Sequence, residues 1–313
     1  FISKIDYRFW KKFYKIAYIA SIILLLMVLI PGIGRSAGGA RRWINLGIQF
    51  QPSELAKIGL IIFYASYLTD HKDELKDFKK GFVKPLLYLI PVVLILILVQ
   101  DHLSATIIIV LVVGIMMLMA GVRPKYFATV GTGVAVAGAA GLYAMAKFTS
   151  KGAFRIARIT SFLNPWADKQ GDGWQVIQSL YAIGSGGLFG VGLGQSKQKY
   201  LYISEPHTDF IFAVLAEELG FVGCAIVIGL FGIFIWRGVL AAMKAPDMFG
   251  SLVAVGITSL IGLQAIINIA VVTSSMPVTG MPLPFFSYGV TSLLILLCSV
   301  GVLLNISRAG TKV

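Results

Sequence analysis

The residues best placed to do chemistry are charged groups set where polar loops run into long apolar blocks. Asp209 is the clearest of them. It closes the polar run Glu205-Pro-His-Thr208 and opens the apolar stretch Phe210-Ile-Phe-Ala-Val-Leu-Ala216. A carboxylate at such a junction sits half in water and half against hydrocarbon, where partial desolvation suits it to general-base work and a lipid head group is within reach. The same position suits a helix cap, with Thr208 as a second cap residue, and the two roles are compatible. Glu217 and Glu218 follow two or more turns on, Glu217 about 12 Å beyond Asp209 along a helix. Acids at that depth are either functional or held by hydrogen bonds. Two adjacent acids cannot both face one site, which favours the packing role.

Cations gather at the other candidate positions. Glu54 and Lys57 lie three residues apart near the start of an apolar block, so Lys57 has a partner within reach. The pair serves either as an internal ion pair or as a cation offered to a diphosphate. Arg41 and Arg42 can fork onto phosphate, and Trp43 suits an interface anchor. Lys197 and Lys199 precede the Asp209 run and are either a solvated pair or phosphate contacts. Glu205 and His207, beside the acid, complete the substrate-binding candidates.

The elements that carry these residues are membrane helices. The chain is 57% hydrophobic and 13% charged, with a mean hydropathy of +0.84. Soluble domains carry about 25% charged residues. The apolar residues come in blocks that predict eight spans: 14–30, 53–68, 85–99, 104–121, 126–146, 209–236, 249–271 and 285–306. The second and third are short, so their helices are expected to run into the flanking residues. Backbone groups in hydrocarbon must pair within the segment, which makes these blocks helices, and their unbroken hydrophobicity excludes a β-barrel.

The net charge of +13 does not point to nucleic acid. With residue 1 in the cytoplasm, Lys and Arg crowd the inner segments from Lys4 to Lys15, from Lys72 to Lys84, and at Arg123, Lys125, Arg237, Lys244, Arg308 and Lys312. The short outer loops hold only Arg35, Arg41 and Arg42. This is the positive-inside pattern, and the excess faces anionic lipid.

Two outer segments are long: 31–52 and 147–208. Within the second, 153–163 reads as an interfacial helix, and Trp174 to Leu188 is apolar but too short to span. The Gly-rich run from Gly184 to Gly194 lacks nucleotide-loop spacing and is better explained by flexibility and close packing. Cys224 and Cys298 fall inside spans as packing residues. His71, His102 and His207 are dispersed, so no structural metal site is expected, while a transient Mg²⁺ between carboxylate and diphosphate stays open.

The run Glu205 to Gly220 resembles the signature of the SEDS family (FtsW, RodA, SpoVE). So do Ala40-Arg-Arg-Trp-Ile-Asn-Leu-Gly47, Gln51-Pro-Ser-Glu-Leu-Ala-Lys57, Gly173-Trp-Gln-Val-Ile-Gln-Ser179 and Met276-Pro-Val-Thr-Gly-Met-Pro-Leu-Pro-Phe-Phe-Ser-Tyr-Gly289, in the family's order along the whole chain. The short passage from Gly194 to Glu205 is more similar to the FtsW/SpoVE branch than to RodA. The resemblance implies a single all-α polytopic domain over 1–313, with eight spans of a usual ten, the first two lying outside it, and 147–208 as a large extracytoplasmic loop.

The resemblance also implies an inverting glycosyltransferase that polymerises lipid II at the outer face of the bacterial cytoplasmic membrane. Asp209 would be its base, undecaprenyl pyrophosphate its leaving group, and a class B penicillin-binding protein its partner. Trp43, Glu54 and Lys57 match other positions on which the family depends. One departure stands out. Many members read Gln-Pro-Asp-Leu-Gly-Thr where this chain has Gln100-Asp-His-Leu-Ser-Ala105, which puts His102 where the family's acid would meet the Lys57 position. The competing readings are a lipid flippase, with Glu217, Glu218, Gln264 and Asn268 as half of a polar path, and a division scaffold in which Asp209 is replaceable.

Overall fold

The computed structural model describes residues 1–37, 40–45, 49–132, 162, 164–167, 173–198 and 207–311. Compact packing divides the chain into two units, one of residues 1–126, 233–263 and 289–313, the other of 127–232 and 264–288.

In the first unit a basic turn at Arg8–Lys11 leads into α1 (Tyr14–Met27). Three short antiparallel strands follow, β1 (Gly34–Ala37), β2 (Ala40–Asn45) and β3 (Gln49–Phe50), in the order β1-β2-β3. Apart from these short strands the regular structure of the described residues is helical, as the all-α expectation has it. Span-by-span reading treated 31–52 as loop, but backbone groups outside a helix still need partners, and the pairing of Arg35 with Trp43 and of Ile44 with Phe50 supplies them.

Next come α2 (Pro52–Asp70), α3 (Phe78–Val99) and α4 (Leu103–Ala120). Helix α2 is the centre of this unit. Leu60, Ile61, Tyr64 and Leu68 are buried along it. At Gly59 a Cβ would strike Ser21 Oγ of α1. The unit closes at its charged end. Tyr7 donates to Asp247 at 2.6 Å, Asp247 accepts from Gly250 N at 2.7 Å, and Asn305 bonds both Tyr7 N and Ser3 O at 3.0 Å.

The remaining long helices are α6 (Ile211–Met243), α7 (Met248–Val272) and α8 (Val290–Gly310), with α5 (Trp174–Ser185) between α4 and α6. Among the described residues, five helices (α3, α4, α6, α7 and α8) are long and apolar enough to cross a bilayer, and α1 is a shorter apolar helix. Five of the eight expected spans thus stand as long apolar helices. Helix α2 fills the place of 53–68 and reaches Asp70, while α3 starts at Phe78, ahead of the expected 85. The span at 126–146 is described only to 132, and the interfacial helix at 153–163 lies almost wholly outside the described residues.

Span 209–236 reads as one continuous helix but is broken. At Gly220 the backbone turns to φ 66°, ψ −166°. The two bonds lost there, from Phe221 and Val222 N–H to the carbonyls of Glu217 and Glu218, are each replaced through the Gly-rich loop. Val191 N and Gly192 N donate to Glu217 O and Glu218 O at 3.0 and 3.1 Å, and Phe221 N and Val222 N donate to Gly187 O and Leu188 O at 2.9 and 3.1 Å. Non-helical backbone within an apolar segment is tolerated where protein satisfies its polar groups, and here the loop satisfies all four. The glycines are what allow the insertion. A Cβ on Gly186 would meet Ala216 O, one on Gly190 would meet Glu218 O, and one on Gly220 would meet Gly190 N.

The buried Glu217 carboxylate completes the lock, accepting from Ser196 Oγ at 2.5 Å, Lys197 N at 3.0 Å and Gln198 N at 3.3 Å, while Glu218 accepts from Ser196 N at 3.3 Å. Both acids therefore fill the hydrogen-bonded packing role. Gly190→Ala should lower the thermal midpoint of the purified protein sharply, by well over the roughly 1–2 kcal/mol of left-handed strain that Gly194→Ala carries alone. Gly194 has an equally positive φ but open space around it. Equal losses in the two variants would contradict the insertion.

Candidate functional site

The candidate residues fall into two groups, one in each unit. In the second unit, Asp209 is half-buried in the turn that precedes α6. Three successive carbonyls of that turn are held from the chain beyond. His207 O accepts from Tyr288 N at 2.8 Å, Thr208 O accepts from Ser287 Oγ, and Asp209 O accepts from Asn268 Nδ2 at 2.8 Å.

Asn268, almost fully buried on α7, gives its other amide hydrogen to Met281 O at 2.6 Å, and Ser287 Oγ also accepts from Leu283 N at 2.7 Å. One amide and one hydroxyl therefore tie the acid's turn to the segment 281–288. The Asp209 carboxylate lies against Gly280, where a Cβ would stand 3.2 Å from Oδ2 and φ is +62°. Glycine takes this left-handed turn without strain, and a Cβ in its place would press on the carboxylate. Lys197 is exposed in side chain and tied through its backbone to Glu217. His207 is exposed, and Lys199 and Glu205 lie outside the described residues.

In the first unit, Lys57 and Glu54 form the ion pair that their spacing predicts, 2.8 Å apart with side chains 4% and 14% exposed. Beneath the pair is a small apolar cavity lined by Leu60, Ile61, Ile108, Val112 and Leu260. Arg42, on β2, reaches the loop between α3 and α4, donating from Nη2 to Asp101 O and from Nε to Gln100 O at 3.3 Å. Arg41 is exposed and Trp43 half-buried on the same strand.

The loop is sharply set. Asp101 sits at φ 47°, Gln100 donates to Leu25 O at 2.9 Å, and His102 N donates to Leu96 O at 2.8 Å. His102 is 6% exposed. Burial, with the charges of Arg42 and Lys57, pushes its imidazole down to about 3. The structure thus brings Arg42, Glu54, Lys57 and His102 into one unit and holds Asp209 by Asn268, Ser287 and Tyr288 in the other. Only the competing flippase reading gives Asn268 a role, as part of half a polar path, whereas its amide is bonded to Asp209 O and Met281 O. The Met276–Gly289 motif was the one available signal for the Gly280 and Ser287 contacts.

The sequence family described as "Cell cycle protein", the FtsW, RodA and SpoVE group, matches residues 1–312. The chain belongs to this family. It is a multi-pass membrane protein on that ground and on its long apolar helices. As a family member it is 46% identical over 309 residues to Stage V sporulation protein E of Bacillus subtilis (strain 168), covering 98% of this chain and 82% of that protein. It is 45% identical over 304 residues to the probable peptidoglycan glycosyltransferase FtsW of Geobacter sp. (strain M18), covering 97% and 81%.

Among solved structures it is similar to a chain of a peptidoglycan synthase complex that coordinates polymerization and crosslinking, with a TM-score of 0.82, 30% identity, and coverage of 100% of this chain and 85% of that one. It is also similar to the rod shape determining protein RodA of Thermus thermophilus, with a TM-score of 0.68, 30% identity, and coverage of 98% and 81%.

The buried imidazole carries a pH signature. In the unfolded chain His102 titrates near the ordinary value of about 6.5. Between that value and about 3 the unfolded state binds a proton that the native state refuses. Stability should therefore be complete above about pH 6.5 and fall as the pH drops, at up to about 1.4 kcal/mol per pH unit. Thermal midpoints measured across this range should fall less steeply for His102→Gln than for the unaltered protein. Parallel slopes would contradict the assignment.

Proposed function

We propose that this chain is a peptidoglycan glycosyltransferase that polymerises lipid II at the outer face of the cytoplasmic membrane, with Asp209 as its base. The activity is supported by relatives named as probable peptidoglycan glycosyltransferases at 44–45% identity over 97% of the chain. The observation that carries the assignment of Asp209 is the triple hold on the carbonyls of residues 207–209, which fixes a half-buried carboxylate at the head of a long apolar helix.

In this reading Asp209 takes the proton from the acceptor sugar's hydroxyl. The freed oxygen attacks the donor's anomeric carbon from the face opposite the diphosphate, the carbon–oxygen bond to the diphosphate breaks, and the configuration inverts. Arg41, Arg42 and Lys57 supply positive charge for the diphosphate that leaves. Trp43 and Glu54 support them, the latter as the counter-charge to Lys57. Lys197, Lys199, Glu205 and His207 contribute to substrate binding around the acid.

Among the described residues no group of three or more His, Cys, Asp or Glu is gathered as a resident metal site would need. A Mg²⁺ ion carried in with the diphosphate is compatible with this chemistry. A class B penicillin-binding protein is the proposed partner, supported by the similarity to a peptidoglycan synthase complex.

The flippase reading is not favoured. Glu217 is spent on Ser196, Lys197 and Gln198, and Asn268 on two carbonyls, which leaves little of the polar path those residues were to supply. Glycan-strand formation from purified lipid II, by the protein with its transpeptidase partner, tests the assignment. Asp209→Asn should keep its thermal midpoint and lose polymerisation by about 10²- to 10⁴-fold, the usual worth of a positioned base. Polymer made by the variant at the unaltered rate would remove Asp209 from the chemistry.

A further inference from the structure

We infer that Tyr288 binds substrate: its exposed ring is the platform on which a pyranose of the glycan precursor stacks beside Asp209. The inference rests on the glycosyltransferase reading and names the chemistry by which that site recognises a sugar.

The backbone fixes where the ring stands. Tyr288 N donates to His207 O at 2.8 Å, and the neighbouring Ser287 Oγ reaches Thr208 O. Two residues of chain span at most about 7 Å, so the ring is rooted within reach of the Asp209 carboxylate. The chain just before it is held as firmly. Phe286 N and Ser287 N donate to Leu283 O at 3.3 and 3.0 Å, and Leu283 N donates to Ser287 Oγ at 2.7 Å. Between them Phe285 sits at φ 68°. A bulky residue in the left-handed region is strained, and such strain gathers at binding and catalytic sites.

The aromatic side chains of segment 281–288 have different fates. Phe285 and Phe286 lie beside Phe231 of α6, with ring centroids 6.4 and 6.2 Å away. Tyr288 is 76% exposed, and among the described residues its ring meets no other ring and its hydroxyl no hydrogen-bond partner. A tyrosine so presented offers a large, rigid contact face at little cost in side-chain entropy.

Chemistry then selects the ligand. One face of a pyranose is a sheet of C–H groups, with hydroxyls around its rim. Those C–H groups carry partial positive charge and suit the negative face of an aromatic ring. The phenol hydroxyl, and the exposed His207 whose carbonyl Tyr288 holds, supply hydrogen bonds for the rim. A diphosphate gains nothing from that negative face. A tyrosine that merely anchors the protein among lipid head groups can stand anywhere around the membrane rim. This one is bonded through its backbone to the turn that carries the acid.

Equilibrium binding of lipid II to the full chain, in nanodiscs of fixed lipid composition, tests the platform. A sugar-free polyprenyl diphosphate is the second probe. Tyr288→Phe and Tyr288→Trp keep an aromatic face and should bind lipid II within about twofold of the unaltered protein. Tyr288→Leu keeps apolar bulk without the face and should bind it about three- to tenfold more weakly, the usual worth of an aromatic stack. Its affinity for the sugar-free diphosphate and its thermal midpoint should not move. Tyr288→Gln should do the same, and replaces Tyr288→Leu if the latter does not fold.

Unchanged lipid II affinity in a folded Tyr288→Leu or Tyr288→Gln protein overturns the platform. So does an equal loss for both probes, which makes Tyr288 a lipid anchor. A loss in Tyr288→Phe as large as in Tyr288→Leu overturns it too, because the hydroxyl alone then carries the contact. Binding is read without turnover, so the two claims fail separately. If Asp209→Asn still polymerises lipid II, or the unaltered protein makes no polymer, the reading beneath is lost while sugar-dependent binding at Tyr288 stands.

Discussion

A carboxylate proposed as a base must stay where the substrate's proton will be, and at Asp209 the backbone that carries it is held through hydrogen bonds to three successive carbonyls. His207, Thr208 and Asp209 each give their carbonyl to a donor far along the chain: Tyr288 N, Ser287 Oγ and Asn268 Nδ2. Fixing three consecutive peptide planes fixes the direction of the Cα–Cβ bond between them, which leaves Asp209 little freedom beyond its own two torsions. Gly280 then provides the space into which the carboxylate fits. Every one of these contacts lies within a single packed unit.

The same unit shows how the bilayer constrains what may be irregular. A helix interrupted in hydrocarbon leaves unpaired backbone groups worth several kcal/mol each. At Gly220 the Gly-rich loop takes up all four groups, and the Glu217 carboxylate, itself too costly to leave unpaired, is satisfied by the loop's hydroxyl and amides. The first two turns of α6, which begin just past Asp209, are thereby bound to the segment that carries Lys197. The break stiffens the region around the acid because every bond it opens is closed by a neighbour.

Much of this was legible in the amino-acid sequence where the signal is local. Long apolar blocks gave the helices, and a three-residue spacing gave the Glu54–Lys57 pair, because both depend on neighbours within a turn or two. The bland reading of Glu217 and Glu218 was reached by a local argument too, that adjacent acids point apart. What escaped depends on distant partners. The helix break is invisible in an unbroken apolar run because its bonds go to residues some thirty positions earlier. Asn268 had a role only in the flippase reading because its partners, Asp209 and Met281, lie across a fold that periodicity does not specify. The sheet at 34–50 was missed because strands this short carry almost no pattern, and the burial of His102 because its loop reads as polar.

If the held turn sets the carboxylate's position, the single-turnover rate of glycan-bond formation by Gly280→Ala at saturating lipid II shows it most directly. The added methyl would stand 3.2 Å from Asp209 Oδ2, tight enough to shift the carboxylate without removing it. The rate should drop by about tenfold or more, as a misplacement of an ångström or less can cost in a positioned reaction, while lipid II affinity and the presence of folded protein are retained. A folded Gly280→Ala protein that turns over at the unaltered rate would show that the carboxylate's placement does not govern the reaction.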